Sequence, residues 1–508
     1  MHSQQGYLLW RRHNIFEKDK LNKRVMTYQP TGENMKNSND KFVTEVVENL
    51  SKIVGKERVT SNLIDLHSYV RDASPLEAPL PMAVVKPLTT EEVSKILKLA
   101  NEMKFRVFVR GGGTSAGGGG LAFMENSILI DMTAMNKILE ISEANMSVTV
   151  QTGVIWSTLN KELAKHGYRV PFWGPESAYG ATVGGSLALA SMSSQGVTEA
   201  GGTYNQVITL EVVLPTGEVI RTGSDSLPNG GRFARVCNGG DYAGIFLGSM
   251  GVFGVITEAT LKLECLPTAQ KCIGVVFKKW KQGIDFVYKI LRSKTIPKSL
   301  NINPGMRAVK SSYGVEGECA FRIILEEMNE KIADIKEQLI RSYAKELGGF
   351  FPDGIDEKVK EWWDGMFFRL VKGEKKYGFA AHACHRIPLQ KLPIAVKEAE
   401  HYFLEVHRVE ERGMHFSVGC YVSEQRPACG FYPFLYYRDE PETRKIALEI
   451  WEGWIAHAIK AYGACPYWMG IVWSRNLLPN LRPEYVGFLK RLKRALDPNN
   501  VLNPGMLV

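Results

Sequence analysis

The 508-residue sequence contains eight cysteines but no Cys-x-x-Cys pair. This lack argues against an iron–sulfur cluster, a zinc ribbon and a dithiol redox site. No stretch approaches the roughly 20 apolar residues that a membrane-spanning helix requires. Residues 1–40 are polar and lack the apolar core of a signal peptide. We therefore expect a cytoplasmic protein without a membrane span, in which residues 1–40 form a flexible arm.

The composition is that of a globular protein. Apolar residues make up 44% of the chain and aromatic residues 10%. A chain of this length is too long for a single core, which predicts two or three domains. The net charge of +9 is spread along the chain, a distribution that favours solubility. No segment has the pattern of a nucleic-acid-binding motif, so we expect no nucleic-acid partner.

A glycine-rich loop is the most informative segment. Residues 110–120 contain seven glycines and follow the apolar run 105–109. Because glycine has no Cβ, successive backbone N–H groups can converge on an anion there. The loop is neither a Walker A nor a Rossmann motif, since no Gly-Lys-Ser/Thr closes it and the predicted strand Ser127–Asp131 follows it. We interpret it as a phosphate cradle, and a flexible loop is the alternative.

Further motifs surround this loop in a fixed order. They are a strand and a helix at 82–100, a second glycine-rich turn that opens a helix at 174–186, two strands at 207–214 and 218–221, a glycine-punctuated helix that runs into a strand at 241–257, and the C-terminal segment 496–505. Thr89 or Thr90 is predicted to cap the first of these helices. The second glycine-rich turn is another candidate site for an anion or for close approach of backbone.

This order of motifs resembles the flavoprotein superfamily of vanillyl-alcohol oxidase and p-cresol methylhydroxylase (PCMH), which also contains the D-lactate and glycolate dehydrogenases. The resemblance covers nearly everything from about Lys41 to Val508. It implies an α+β enzyme, an FAD-dependent oxidase or dehydrogenase. A PCMH-type FAD-binding domain of two α+β subdomains would occupy residues 41–268. An α+β cap domain of the FAD-linked oxidase C-terminal type would form the substrate pocket with residues 269–485, and residues 486–508 would return to the FAD-binding domain.

The same resemblance implies which residues bind FAD. They are Arg110, Gly111, Gly112, Gly113, Thr114, Ser115, Pro175, Ser177, Thr182, Gly184, Gly185, Ile256, His382 and Asn503. Residues 111–114 would hold the pyrophosphate. His382 corresponds to the cap histidine that is bonded to the flavin 8α-methyl group in enzymes similar to vanillyl-alcohol oxidase. A covalent bond to FAD through His382 is therefore one prediction, and a packing histidine is the alternative.

The cap region is more similar to the phenol-oxidising branch of the superfamily. Tyr467 corresponds to the tyrosine that steadies the substrate phenolate, and Glu176 to an aspartate beside the flavin N5. The arginine that follows that tyrosine in relatives is Trp468 here. Arg475 or Arg438 is the candidate replacement, because the phenolate clamp is otherwise incomplete.

We therefore predict hydride transfer from a para-substituted phenol or an aromatic alcohol to flavin N5. Tyr467 would hold the phenolic oxygen, and Glu176 would guide water or a proton. For an alcohol substrate, His415 or His385 would act as the base. The predicted catalytic residues are Tyr467, Glu176, His415 and Arg475. A tyrosine of the pocket wall or core and an acid that caps a helix are the alternative interpretations of Tyr467 and Glu176.

Two other functions stay open. A metal-dependent 2-hydroxy-acid dehydrogenase is in doubt because residues 428–433 and 465–470 lack the acidic and imidazole ligands of that branch, and we predict no metal site. Arg369, Arg386 or Arg475 could still bind a carboxylate. The chain could also be the flavin subunit of a larger electron-transfer complex. Besides a small-molecule substrate, we expect an external electron acceptor (dioxygen, a quinone, a cytochrome or a partner subunit) and a homo-oligomer.

Overall fold

The computed structural model describes residues 33–193, 195–365 and 378–508. The helices α1 to α14 of this part of the chain are Glu33–Val54, Leu63–His67, Thr90–Met103, Trp156–Ala164, Val183–Ala188, Val197–Ala200, Trp280–Ser293, Met306–Tyr313, Glu330–Glu346, Ile355–Asp364, Leu392–Glu400, Pro441–Tyr462, Ile471–Leu477 and Pro483–Leu496. None of the helices in these ranges combines the length and the apolar character needed to cross a membrane.

The strands of the same ranges form four sheets. Strands β1 to β19 are Val59–Thr60, Ala83–Val85, Arg106–Arg110, Ser127–Asp131, Ile138–Ser142, Ser147–Gln151, Tyr168–Arg169, Val207–Val213, Val219–Arg221, Val255–Lys262, Glu264–Cys265, Ala269–Phe277, Ser299–Pro304, Cys319–Glu327, Phe379–His382, His385–Pro388, His415–Val422, Ala428–Tyr437 and Cys465–Pro466. The smallest sheet pairs β7 with β11.

The first sheet positions the glycine-rich loop. Its order is β1-β2-β4-β3, and β2, β4 and β3 run parallel. β2 and β4 are buried along their whole length, as expected for parallel strands covered on both faces. The loop leaves the carboxyl end of β3, the edge of a parallel sheet at which ligands bind. The predicted helix cap is confirmed, because Thr89 Oγ1 accepts a hydrogen bond from the Glu92 N–H at 3.2 Å.

The second sheet is antiparallel, with the order β5-β6-β10-β8-β9. The β8–β9 hairpin around Pro215-Thr216-Gly217 confirms the pair of strands predicted there. The helix predicted before β10 is wrong, because residues 241–254 contain a short 3-10 turn at Ala243–Ile245 and no α-helix. Gly248 and Gly251 both have a φ of +69°, which a right-handed helix does not accommodate.

The sequence of the cap region predicts strands at 379–387, 415–422 and 431–437, and these segments lie in the third and largest sheet. Its order is β12-β14-β13-β17-β18-β16-β19, and β15 also pairs with β18. The strand predicted across 379–387 is in fact two strands, β15 and β16, which pair with different parts of β18. In β18 the odd-numbered residues 431–437 are buried and alternate with half-buried ones. One face of this strand therefore packs in the core.

Two further predictions fall at the edges of the described ranges. α1 begins at Glu33, so residues 33–40, which we predicted to belong to a flexible arm, are helical. A helix that nucleates at its apolar C-terminal part can extend towards its N-terminus through polar residues of ordinary helix propensity. The sequence also predicts a tryptophan-rich helix over 357–370. Its described part lies in α10, and residues 366–370 lie outside the described residues, as do residues 1–32.

A network of charges joins the third sheet to the rest of residues 47–508. Arg169 contacts Glu264 at 2.7 Å and Glu326 at 2.6 Å. Lys298 lies 2.6 Å from the same Glu264 and 3.1 Å from Glu199. Lys298 is buried, and its two carboxylate partners compensate the removal of its charge from water.

The boundaries between the predicted domains stay a prediction.

The C-terminal helix is fixed by a buried ammonium group. Lys493 Nζ donates to the carbonyl oxygens of Val252 at 2.9 Å and Leu502 at 2.6 Å, and to Asp497 Oδ2 at 2.6 Å. Asp497 in turn accepts the N–H groups of Val501 and Leu502. Burial lowers the pKa of Lys493. This cluster anchors residues 493–502 beside β10 and the glycine-rich loop.

Replacement of Lys493 by Ala should destabilise the protein strongly, because Asp497 would remain buried without its cation. Removing one partner of a buried ion pair typically lowers the free energy of unfolding by about 3–5 kcal/mol. Lys490→Ala changes an exposed lysine of the same helix and should have little effect. The measurement is urea unfolding followed by tryptophan fluorescence. Equal unfolding midpoints for the two variants would contradict the role of the cluster.

Candidate active site

A cavity of about 470 Å³ brings together segments that are far apart in the sequence. One side is the backbone of the two glycine-rich segments, and the other is side chains of the third sheet and of residues 467–468. The predicted residues that line it are Gly111, Gly112, Gly113, Thr114, Ser115, Pro175, Glu176, Ser177, Thr182, Gly184, Gly185, Ile256, His382, Tyr467 and Asn503. Their assignment to FAD or to substrate stays a prediction.

The two glycine-rich segments touch through their backbones. A Cβ at Gly112 would overlap the carbonyl oxygen of Gly180, and a Cβ at Gly111 would overlap the Thr182 hydroxyl. The carbonyl is backbone and cannot turn aside as a side chain can. Gly113 has a φ of +67°, a conformation that other residues rarely adopt. The cavity is therefore bounded here by bare backbone, which an anion can approach closely.

Arg110 holds the glycine-rich loop from behind. Its guanidinium donates to the carbonyl oxygens of Arg71 at 3.0 Å, Gly120 at 3.3 Å and Tyr69 at 3.4 Å. It is not among the residues that line the cavity. We therefore correct the prediction that Arg110 contacts FAD. Arg110 instead closes the loop, because its side chain at the start of the loop is bonded to the Gly120 carbonyl at the end of the loop.

Asp72, which the sequence analysis missed, holds the far end of the loop. Its Oδ2 accepts the Gly118 N–H at 2.9 Å, and its Oδ1 accepts the Ser74 N–H at 2.9 Å. Burial raises the pKa of Asp72 to about 6. The Asp-x-Ser spacing of a local turn was the available signal, but only the fold shows that this turn contacts a loop more than forty residues away.

Thr182 begins the helix beyond the second glycine-rich turn. Its hydroxyl accepts the Gly185 N–H at 3.2 Å, so it caps α5. The Gly184 N–H donates to the Thr152 carbonyl at 2.8 Å, and the Trp156 indole donates to the Ser186 hydroxyl at 2.9 Å. These bonds confirm the predicted helix start and fix its first turn against the cavity.

Asn503 connects the C-terminal segment to the base of the loop. Its side chain accepts the Val109 N–H at 3.0 Å and donates to the Met250 carbonyl at 2.7 Å. Its backbone N–H donates to the Val107 carbonyl at 2.8 Å. A single side chain therefore ties β3 to the turn before β10, and it does so at the cavity wall.

The opposite wall is aromatic. The His382 ring lies edge-on to Phe434, with centroids 4.6 Å apart, and 5.6 Å from the Trp468 ring. Tyr467 lies 4.6 Å from Trp468 and 6.4 Å from Tyr432. All five rings line the cavity. Van der Waals packing of these rings, in edge-to-face and tilted contacts, fixes the shape of the wall.

Tyr467 is held in place by hydrogen bonds from the residues that follow it to the glycine-rich loop and to the end of α5. The Ile471 N–H donates to the Gly117 carbonyl at 2.9 Å, and the Met469 N–H donates to the Leu189 carbonyl at 3.2 Å. The two donors lie two and four residues after Tyr467 in the sequence. The position of the Tyr467 ring therefore depends on the loop that we predict to bind FAD.

Arg386 supports the same segment from the other side and was named in the sequence analysis as a carboxylate fork. Its Nε donates to the Pro466 carbonyl at 3.2 Å, and its Nη1 lies 3.3 Å from the Tyr204 hydroxyl. Tyr204 also donates to Glu424. Arg386 is not among the lining residues of the cavity, so its guanidinium is engaged behind the wall.

Burial controls the ionisation of the wall. The pKa of Tyr467 is raised well above its usual value by burial and by the charge of Glu176. The same two causes raise the pKa of the Cys384 thiol. Burial lowers the pKa of His382 to about 3. These groups are neutral at physiological pH, and Glu176 is the acidic side chain among the described lining residues.

His415 and Arg475 do not reach the cavity, so their predicted catalytic roles are withdrawn. His415 lies 3.5 Å from Glu410, and its side chain is 42% exposed. The Arg475 guanidinium lies over the Phe123 ring, 5.9 Å from its centroid. Neither residue is among those that line the cavity.

His385 and Arg438, which are two further candidates from the sequence, do not line the cavity either. His385 is fully buried on the opposite face of the sheet, where its Nδ1 is 2.8 Å from the Ala383 carbonyl oxygen. Arg438 is exposed, and Arg369 lies outside the described residues. Within the described ranges, no three His, Cys, Asp or Glu side chains form a group that could hold a metal ion.

The chain matches two families of known domains. The family described as "FAD binding domain" matches residues 81–223, and the family described as "FAD linked oxidases, C-terminal domain" matches residues 430–507. The first match contains both glycine-rich segments, and the second contains Tyr467 and Asn503. Both matched regions therefore contribute residues to the cavity, whereas Ile256 and His382 lie between them.

Individual proteins resemble this chain in sequence in two of the cases below and in fold in the third. The glycolate oxidase subunit GlcD of Bacillus subtilis (strain 168) is 27% identical over 474 residues, which cover 91% of this chain and 96% of the relative. The mitochondrial D-lactate dehydrogenase (cytochrome) of Arabidopsis thaliana is 27% identical over 437 residues, covering 84% of this chain and 74% of the relative. The crystal structure of p-cresol methylhydroxylase with substrate bound superposes with a TM-score of 0.76 at 19% identity, covering 92% of this chain and 96% of that one.

Gly112→Val should abolish FAD binding, because the new side chain would collide with the Gly180 carbonyl. Gly240→Val is the matched control, since a Cβ there meets nothing closer than 3.9 Å. The measurement is the ratio of visible to ultraviolet absorbance of the purified proteins. A Gly112→Val protein that purifies as yellow as the control would show that the cradle is elsewhere.

Proposed function

We infer from the matched FAD-binding and FAD-linked-oxidase domains that this FAD-linked oxidoreductase belongs to the flavoprotein superfamily of vanillyl-alcohol oxidase and p-cresol methylhydroxylase, and from that premise we propose that its substrate is a para-substituted phenol or an aromatic alcohol. The proposal includes an external electron acceptor, a cytoplasmic location and a homo-oligomeric assembly, as the sequence analysis predicts.

The observation that carries this proposal is the chemistry of the cavity wall. Tyr432, Phe434, Tyr467 and Trp468 provide an aromatic surface, which suits a substrate ring. The charge on that wall is the carboxylate of Glu176, which would repel the carboxylate of a 2-hydroxy acid. A neutral aromatic substrate avoids that repulsion.

FAD fits the opposite side of the cavity. The bare backbone around Gly112, where a Cβ has no room, suits the pyrophosphate, while the apolar side chains of Leu189 and Ile256 suit the uncharged parts of the cofactor. When bound, FAD supplies an acceptor for hydride at flavin N5. The residues of the chain then have to bind the substrate and manage its protons.

Tyr467 is the proposed hydrogen-bond donor to the substrate. Because burial keeps its pKa well above the usual value, its hydroxyl stays protonated and donates to the phenolic oxygen as negative charge develops there. A para-substituted phenol that loses one hydride from its benzylic carbon and one proton from its hydroxyl becomes a quinone methide.

Glu176 is the proposed proton acceptor. With a phenol, it takes the hydroxyl proton while the benzylic carbon loses hydride. Water then adds to the quinone methide, with its oxygen going to the methide carbon and its proton to the phenolic oxygen. With an aromatic alcohol, it takes the hydroxyl proton while the carbon loses hydride, and an aldehyde or ketone results. Its electrostatic influence on Tyr467 and Cys384 is consistent with a position beside the substrate ring.

A 2-hydroxy acid is the second candidate, because glycolate and D-lactate stand in the names of two relatives. Such a substrate needs a cation for its carboxylate. Arg386 in β16 is the candidate on these strands, but its guanidinium is bonded to Pro466 and Tyr204. It would have to leave these partners, which disfavours this candidate.

Tyr467→Phe and Glu176→Gln should each slow anaerobic reduction of the flavin by a 4-alkylphenol by about 100-fold, the lower range for loss of one donor or one proton-transfer group. FAD content should not change. The measurement is stopped-flow absorbance of the oxidised flavin. Tyr485→Phe, at an exposed tyrosine of α14, is the control and should react like the wild type. A wild-type rate constant for Tyr467→Phe would place the substrate elsewhere.

We further propose that FAD is attached covalently through His382. Its low pKa leaves the imidazole neutral with a nitrogen lone pair available, and its buried Nδ1 has no hydrogen-bond partner among the described residues. Acid-precipitated protein should therefore stay yellow, whereas His382→Ala should release its FAD into the supernatant. His415→Ala, outside the cavity, should behave like the wild type. Release of flavin from the wild-type precipitate would refute the attachment.

A further inference from the structure

Strand β18 carries a strip of aromatic rings that leads away from the cavity. The strip consists of Tyr432, Phe434 and Tyr436, alternate residues that lie on one face of the strand and are half-buried. The ring centroids are 5.3 Å apart between the first two and 5.9 Å apart between the last two. Tyr432 and Phe434 line the cavity, whereas Tyr436 lies beyond it.

The strip packs over the neighbouring strand β17. Gly419 pairs with Tyr432 and Ser417 pairs with Phe434, and the Tyr432 ring lies over Gly419, where a Cβ would overlap Cε2 of that ring. His415 pairs with Tyr436, and their rings stack at 6.0 Å with an angle of 23°. The strip therefore ends at a side chain that is 42% exposed.

The aromatic surface is continuous from the reaction site toward solvent. Tyr467, the proposed partner of the phenolic oxygen, lies 6.4 Å from Tyr432, the first ring of the strip. Residues 432 and 436 are separated by about 13 Å along an extended strand, which is longer than a single substrate ring. A hydrophobic surface that continues out of an apolar pocket commonly marks a place where ligand is bound.

We propose that the substrate carries an extended apolar substituent, an alkyl chain or a second aromatic ring, that lies along the strip of Tyr432, Phe434 and Tyr436. This inference rests on the proposed function and narrows it, since it identifies the substrate class as phenols or aromatic alcohols with a long apolar tail. Tyr436 contacts only the tail, and it is therefore a specificity-determining residue that does not touch the reacting atoms.

The test compares 4-ethylphenol, 4-butylphenol and 4-octylphenol on the complete FAD-loaded protein under anaerobic conditions. The dissociation constant is obtained from the perturbation of the flavin spectrum before reduction, and the reduction rate is recorded in the same experiment. Each added methylene should lower the dissociation constant about two- to fourfold. The limiting reduction rate should stay nearly constant, because the tail does not reach the reacting carbon.

Tyr436→Ala should raise the dissociation constant of the octyl compound about tenfold and leave that of the ethyl compound unchanged. Tyr436→Phe should retain the wild-type dependence, because it keeps the ring. Tyr485→Ala, at an exposed tyrosine, is the matched control. The ethyl compound reports whether each variant is folded and competent to bind.

Different results would contradict the proposed function and the binding of an apolar tail along the strip. Reduction of the flavin without dependence of binding on chain length would overturn the inference and leave the proposed function intact. The same is true if Tyr436→Ala weakens all three phenols equally. If no phenol binds or reduces the flavin, the proposed function fails and the inference fails with it.

Discussion

The cavity depends on one close contact, in which the backbone of Gly112 lies against the carbonyl of Gly180. This contact lets the loop after β3 and the turn before α5 form one continuous wall. The remaining parts of the cavity are bonded to that wall. The Ile471 N–H reaches the Gly117 carbonyl and so positions Tyr467, while Asn503 ties the C-terminal segment to β3. Binding of the cofactor and shaping of the substrate pocket are thus aspects of the same packing.

Burial then decides the chemistry that the cavity can perform. It keeps the imidazole of His382 and the phenol of Tyr467 neutral, and Glu176 is the acidic side chain of the described wall. We propose that this wall binds a neutral aromatic molecule and accepts one proton from it. When bound, FAD would supply the acceptor for the accompanying hydride.

The glycine-rich segments could be predicted from the sequence, because close backbone contact requires glycine at fixed local positions. Side chains such as His415 and Arg475 could not be placed, because the direction of each depends on which face of a strand or helix the tertiary fold turns toward the cavity. Arg110 shows the same limit, since it adjoins the glycines yet bonds behind them. Asp72 and Tyr204 act through partners distant in sequence, and no local pattern reveals such pairs.

The most direct measurement is the visible spectrum of the purified protein mixed without oxygen with aromatic substrates in one series and with D-lactate and glycolate in another. The account predicts that para-alkylphenols or aromatic alcohols bleach the oxidised-flavin band and that the two hydroxy acids leave it unchanged. Bleaching by the hydroxy acids alone would contradict it. The carboxylate clamp would then have to be sought at Arg386, and the aromatic wall would have another purpose.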